Sequence, residues 1–228
     1  MNLCRNLSAA LMFALIFAFA ACVDISNRKA PETPPETESA DGEVYRSYNF
    51  TEDDERFLAG AVFVGDSLAA DLSELGLAGT VMGDNGLSPS AMDGFKSPDG
   101  LDIITALINS DAGAVAMMFK AGDEGDIAAY TGYIKKIRAW IPNAAVYVLS
   151  APPVAAPPAR NAAIDGYNAA LEQSVAGLGD GGVRYVDIGG ELKNGSGALK
   201  SLYSAGGGSD KLTEKAYYAV LWQLCRNV

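Results

Sequence analysis

The residue with the clearest chemistry in this sequence is a serine at the start of a helix. An apolar run over residues 61–64 leads into Gly65-Asp66-Ser67-Leu68 and then into a helical pattern. The hydroxyl of Ser67 is therefore expected at a helix N-terminus, where the helix dipole and free backbone N–H groups favour an oxyanion. Ser67 is a candidate nucleophile, although Ser and Asp at such a place are also common helix caps.

A serine nucleophile needs a base, and this chain has no histidine. Neither a Ser-His-Asp nor a Cys-His unit can therefore form within it, and an imidazole metal site is excluded as well. Carboxylates follow two predicted strands at Asp84, Asp123 and Asp126, where oxygen ligands could hold a hard cation such as Ca²⁺. Because no EF-hand-like spacing is present, solvated loop carboxylates are expected instead, and neither a metal nor a cofactor is predicted.

Length and charge limit the function classes. The chain has 228 residues, 49% of them apolar, enough for one domain with tails. Lys and Arg number 17 against 28 Asp and Glu, and the resulting net charge of −11 argues against nucleic acid as a partner. Three cysteines cannot all pair with one another, so a disulfide framework is not expected.

The sequence alternates between strand and helix patterns. Short apolar runs at 61–64, 80–82, 114–119, 145–150 and 183–187 predict five buried strands. Helical periods lie between and after them, over residues 127–141, 164–175 and 217–224, with a weaker one over 101–108. This alternation predicts an α/β fold with a parallel sheet covered on both faces and a site at the carboxyl ends of the strands.

The first fifty residues predict export and anchoring. Residues 1–21 have a positive Arg5 and an apolar stretch, as in a secretory signal, too short for a comfortable membrane span. Ala20-Ala21 before Cys22 resembles the bacterial lipobox, which predicts lipidation of Cys22 and anchoring to the bacterial membrane, outside the cytoplasm. Ordinary cleavage after Ala21 is the alternative. Residues 22–50 are predicted to be an extended linker because much of this stretch is rich in Pro, Glu, Ser and Thr, and residues 51–228 the folded domain.

The folded part resembles the SGNH hydrolases, also called the GDSL esterase/lipase family, from about residue 61 to residue 224. The resemblance rests on Gly-Asp-Ser-Leu at 65–68, the glycine-containing turn at 82–88, the run at 141–154, the Tyr-Asn pair at 167–168 and Tyr-Val-Asp-Ile at 185–188. It implies a three-layer α/β/α, flavodoxin-like fold with a five-stranded parallel sheet. It also implies that Ser67 is at the nucleophile position and Gly86 at an oxyanion-hole position.

Three further positions depart from the family pattern. Gly122 aligns with the oxyanion-hole asparagine, Lys211 with the histidine base and Gly208 with the aspartate three residues before that base. Loss of the base in subtilisin costs on the order of 10⁶ in kcat. Hydrolysis is therefore expected to be lost or severely impaired, because polarisation of Ser67 by the helix end does not replace a base.

Three functions fit these observations. The first is an exported lipoprotein, a pseudoenzyme whose old cleft binds an acylated or acetylated cell-envelope glycan or another ester-bearing ligand. The second is an active serine esterase with Lys211 or a carboxylate as base, although the adjacent Asp210 favours the charged lysine. The third is a protein-interaction lipoprotein with a vestigial cleft. An open cleft would favour the first and a filled cleft the third.

Overall fold

The computed structural model describes residues 35–38, 44–206 and 210–228. The strands are β1 (Glu36–Glu38), β2 (Val44–Arg46), β3 (Ala61–Gly65), β4 (Thr80–Gly83), β5 (Ala114–Met118), β6 (Ala145–Leu149) and β7 (Val183–Val186). The helices are α1 (Glu52–Gly60), α2 (Ser67–Glu74), α3 (Ile103–Asn109), α4 (Glu124–Trp140), α5 (Pro158–Ala176), α6 (Gly189–Leu192) and α7 (Glu214–Arg226). Single 3₁₀ turns occur at Pro89–Gly94 and Ser201–Tyr203.

Strands β3 to β7 form one parallel sheet in the order β4-β3-β5-β6-β7, and β1 pairs with β2 in a separate antiparallel ribbon. The chain steps from β3 to β4 on one side and then returns to place β5 on the other side of β3. Such a reversal of strand order is where open α/β sheets form their ligand sites, at the carboxyl ends of the strands. The predicted five-stranded parallel sheet is confirmed.

Alternate residues of β3 supply two separate cores. Val62 and Val64 pack with apolar residues of α3, α4 and α5, whereas Phe63 packs with those of α1, α2 and α7. Because successive side chains of a strand point to opposite faces, the near-continuous apolar strand residues cover both sides of the sheet. The molecule is therefore the three-layer α/β/α sandwich that the sequence predicts.

All five predicted strands form within one residue of their predicted ends. The sequence analysis did not identify α1, although its start carries a capping box. Asp54 N donates to Thr51 Oγ1 over 3.2 Å, and Thr51 N donates to Asp54 Oδ2 over 2.9 Å. Leu58 of this helix is buried and packs in the same core as Phe63 of β3.

The predicted linker ends at residue 50, but the chain already packs against the folded domain from residue 46 onward. Arg46 and Tyr48 both bond to the buried Glu191 of α6, and Phe50 packs against the core beside α7. The aromatic residues at 48 and 50 interrupt the Pro- and Glu-rich composition and explain this docking. The predicted signal at 1–21 and Cys22 lie outside the described residues. In the part that is described, no helix is both long enough and apolar enough to span a membrane.

Candidate functional site

The turn between β3 and α2 is held by the carboxylate of Asp66. Its Oδ1 accepts the backbone N–H of Leu68 over 2.8 Å, which caps α2, and its Oδ2 accepts the N–H of Lys120 over 2.8 Å. One side chain thus ties the start of α2 to the segment that follows β5. Burial raises the pKa of Asp66, and the two N–H donors oppose that rise.

Glycine is required at position 65 because neighbouring backbone approaches closely. A Cβ there would lie 1.8 Å from the carbonyl oxygen of Met118 on β5. A Cβ on Gly83, at the end of β4, would lie 2.3 Å from the carbonyl oxygen of Gly65. The ends of β4, β3 and β5 therefore pack tightly beneath the serine, and the Gly-Asp-Ser sequence is explained by this packing as well as by chemistry.

Ser67 begins α2 and is half-buried. Its hydroxyl has no hydrogen-bond partner among residues 35–38, 44–206 and 210–228. One helical turn further, on the same face of α2, Asp71 accepts the hydroxyl of Tyr217 over 3.0 Å. Ser67 therefore starts a polar face on α2, but no base contacts its hydroxyl within the described residues.

Lys211, at the position of the family histidine, lies beside Asp71 rather than bonding to Ser67. Its ammonium is 3.8 Å from Asp71 Oδ1, and 60% of its side chain is exposed. Asp210 pairs instead with Arg160 over 2.5 Å. The ammonium of Lys211 therefore lies in an ion pair with a carboxylate of α2. Gly208, the position of the family aspartate, lies outside the described residues.

A carboxylate lies next to each of the two predicted oxyanion-hole positions. The N–H of Gly86 already donates to Asp84 Oδ1 over 2.7 Å, in an exposed turn. At Gly122 a Cβ would lie 2.1 Å from Asp126 Oδ2, so this carboxylate fills the space of the family asparagine side chain. Negative charge at these places repels an oxyanion, the opposite of what an oxyanion hole supplies.

Two tyrosines near this region were not identified as site residues from the sequence. The hydroxyls of Tyr130 on α4 and Tyr167 on α5 are buried without a hydrogen-bond partner in the described part of the chain. Burial, followed by the charge of Asp126, raises the pKa of Tyr167 to about 12, and the nearby backbone N–H of Gly122 opposes that rise. In the sequence both residues stand at the apolar spacing of a helix core. No sequence pattern indicates that their hydroxyls lack a partner.

The amide of Asn168, next to Tyr167, binds both backbone groups of one residue. Its Oδ1 accepts the N–H of Ala151 over 2.8 Å, and its Nδ2 donates to the carbonyl of Ala151 over 2.9 Å. This pair fixes the segment after β6, at the same end of the sheet as Ser67. Among the described residues, no group of three or more Cys, Asp or Glu side chains is arranged to hold a metal ion.

No protein-family model matches the sequence, and no curated protein matches it significantly. Solved structures do match. A protein from Bacteroides fragilis assigned as an acylhydrolase is 16% identical with a TM-score of 0.53, over 73% of this chain and 86% of that chain. A protein from Desulfitobacterium hafniense assigned to the G-D-S-L family of lipolytic proteins is 13% identical with a TM-score of 0.51, over 74% and 98%. A family 3 carbohydrate esterase from Talaromyces cellulolyticus is 15% identical with a TM-score of 0.50, over 73% and 95%.

Proposed function

Since the chain has the SGNH hydrolase fold, we propose that it is an exported lipoprotein whose esterase-like domain has lost ester hydrolysis and keeps the cleft as a binding site. The ligand class is an acylated or acetylated cell-envelope glycan, or another ester-bearing molecule. The membrane anchor is the lipidated Cys22, and the residues between Cys22 and β1 form the tether.

The observation that carries this proposal is the environment of the Ser67 hydroxyl. A serine attacks an ester only when a base removes its proton. The chain contains no histidine, and the ammonium at the family base position is paired with Asp71 and exposed to solvent. Helix-end polarisation alone leaves Ser67 an ordinary hydroxyl, able to donate or accept a hydrogen bond from a bound ligand.

The carboxylates at the oxyanion-hole positions support a change from catalysis to binding. Asp84 engages the Gly86 N–H, and Asp126 fills the space beside Gly122. These groups oppose an anionic intermediate but accept hydrogen bonds from hydroxyl groups. A neutral glycan presents many such hydroxyls, and its ester groups add no charge, so this ligand class fits the acidic rim.

The proposal is tested with a fluorophosphonate that labels activated serines, applied to the intact protein and to Ser67→Ala between pH 7 and pH 10. We expect no labelling of Ser67 at any pH, in samples whose circular dichroism shows a folded domain. An active serine esterase labelled in parallel is the positive control. Labelling that rises with pH and is lost in both Ser67→Ala and Lys211→Met would contradict the proposal and establish Lys211 as base.

Binding is tested with an O-acetylated oligosaccharide prepared from the bacterial cell envelope and with its deacetylated counterpart. We expect the acetylated form to bind more tightly, and Asp126→Asn to weaken binding of both because the amide is a poorer acceptor than the carboxylate. Lys135→Gln, an exposed change on the outer part of α4, is the control and leaves both affinities unchanged.

One observation favours a second candidate function, a protein-interaction lipoprotein with a vestigial cleft. Asp126 occupies the space that a side chain at residue 122 would need, which partly fills the region next to the predicted oxyanion hole. Absence of binding by either oligosaccharide, together with absence of fluorophosphonate labelling, would select this function over ligand binding.

A further inference from the structure

A cavity of about 420 Å³ lies outside the Ser67 region, between the N-terminal strap (residues 44–50) and the first turn of α7. Strap residues line one side of it, and residues of the 3₁₀ turn Ser201–Tyr203 and of α7 line the other. Ligand pockets occupy about 300–1,000 Å³. The cavity is large enough for a sugar ring, and none of its lining residues belongs to the site described above.

The strap wall of the cavity is fixed by a buried carboxylate. Glu191, only 8% exposed, accepts Arg46 Nη1 over 2.6 Å and the hydroxyl of Tyr48 over 2.5 Å. The hydroxyls of Tyr48 and Tyr203 are 3.0 Å apart, which links this wall to the 3₁₀ turn on the other side. A pair of walls held in this way needs little reorganisation when a ligand enters.

Two basic side chains line the cavity, and the carboxylates nearest to it are engaged, Glu36 and Glu191 by Arg46 and Glu214 by the Tyr218 hydroxyl. The chain carries a net charge of −11, yet the cavity is lined by Arg46 and Lys215 and by no acidic residue. Arg46 is shared between Glu36 and Glu191. Lys215 is exposed and forms no ion pair within residues 35–38, 44–206 and 210–228. Its ammonium is therefore available to an anionic group of a ligand.

The remaining lining residues suit a ring that bears hydroxyl groups. Tyr48 and Tyr218 contribute half-buried aromatic rings, on which the C–H groups of a saturated ring pack. Thr37 and Ser47 contribute hydroxyls at the rim. An aromatic cage for a cation is excluded by the two basic residues, because like charges repel.

From this lining we infer that the cavity binds a saccharide carrying a carboxylate, with Lys215 facing the carboxylate and the tyrosine rings packing on the sugar. The site is separate from the cleft at Ser67, so it stands or fails independently of the function proposed for that cleft. It also gives the docked strap a role, because three of the eight residues that line the cavity lie on the strap.

The test compares D-glucuronate with D-glucose, which share the ring and differ in the carboxylate, by NMR titration of the intact protein. We expect glucuronate to bind more tightly than glucose and Lys215→Gln to weaken glucuronate binding about fivefold, as for one solvent-accessible ion pair. Glucose binding remains unchanged in this variant. Lys135→Gln, which removes the same charge from α4, leaves both affinities unchanged, and Tyr218→Ala weakens both.

Salt gives a second measurement that needs no variant. The affinity for glucuronate should fall between 50 mM and 500 mM salt while that for glucose stays constant, because only the charged contact is screened. Equal binding of the two sugars, no binding of glucuronate, or an unchanged glucuronate affinity in Lys215→Gln would each overturn the inference.

Discussion

At the scale of single residues, the buried hydroxyls of Tyr130 and Tyr167 are unusual. A buried polar group without a hydrogen bond costs about 1–3 kcal/mol, and both hydroxyls lack a partner in the described part of the chain. Both rings nevertheless lie in the hydrophobic core, and Tyr130 contacts Phe119 edge-on with ring centroids 5.3 Å apart. Replacing either tyrosine with phenylalanine should therefore lose no packing contact and no hydrogen bond to the described residues.

Tyr167→Phe is expected to leave the free energy of unfolding unchanged, or to raise it slightly, at pH 7. The gain in the free energy of unfolding, relative to the wild-type protein, should grow at alkaline pH. The folded-state pKa of Tyr167 is raised to about 12, against about 10 in an unfolded chain, so the folded protein holds this proton longer. The stability that this group adds to the wild-type protein is complete below pH 10 and is lost between pH 10 and pH 12, by at most about 3 kcal/mol.

Denaturant titrations of both proteins at pH 8 and pH 11 measure this difference. The free energy of unfolding of Tyr167→Phe should exceed that of the wild-type protein at pH 11. A loss of more than about 1 kcal/mol in Tyr167→Phe at pH 8 would show that the hydroxyl has a partner after all.

At the scale of elements, α1 and α7 are joined by a buried ion pair. Arg226 Nη2 is 2.8 Å from Asp54 Oδ2, and the two side chains are 16% and 5% exposed. The same carboxylate oxygen accepts both the N–H and the hydroxyl of Thr51, so it caps α1 as well. Arg226 also stacks over Trp222, with 5.1 Å from its guanidinium carbon to the ring centroid.

Asp54→Ala is expected to lower the free energy of unfolding by about 3 kcal/mol, because it leaves Arg226 buried without its partner and removes a helix cap. Asp53→Ala is the matched control. Its side chain is 61% exposed and pairs only with the exposed Arg56, so it should change stability by less than about 0.5 kcal/mol. Urea titration measures the free energy of unfolding of both variants. Equal losses would show that the Asp54–Arg226 ion pair does not stabilise the contact between α1 and α7.

At the scale of the whole molecule, the proposed anchor and tether determine where the domain acts. The sequence predicts an export signal over residues 1–21 and a lipid-anchored linker that begins at Cys22. One acyl chain gives only marginal membrane binding, whereas several chains anchor a protein stably. A lipidated Cys22 should therefore keep the protein in the membrane fraction through washes at high salt.

Cys22→Ser is expected to move the protein from the membrane fraction to the soluble fraction, measured by fractionation and immunoblotting of bacterial cells. Cys4→Ser, which changes a cysteine in front of the apolar stretch, is the matched control and should not alter the distribution. If both variants fractionate as the unmodified protein does, the lipid anchor is disproved.

Much of the fold could be predicted from the sequence, because its signals are local. Each strand of the main sheet is a short apolar run bounded by turn residues, and α4 follows from apolar positions three and four apart. Alternation of these elements then determines a parallel sheet. The absence of histidine also rules out an ordinary serine-hydrolase triad without any structure.

The environment of the site was decided only by the tertiary structure. The contact of Lys211 with Asp71 and that of Tyr48 with Glu191 join residues more than 130 positions apart. The carboxylate of Asp126 occupies the space beside Gly122 because of the path of the chain into α4. No periodic pattern encodes such contacts, since they depend on where separate elements meet in space. The sequence thus determined which groups are missing from the site, and packing determined which groups took their place.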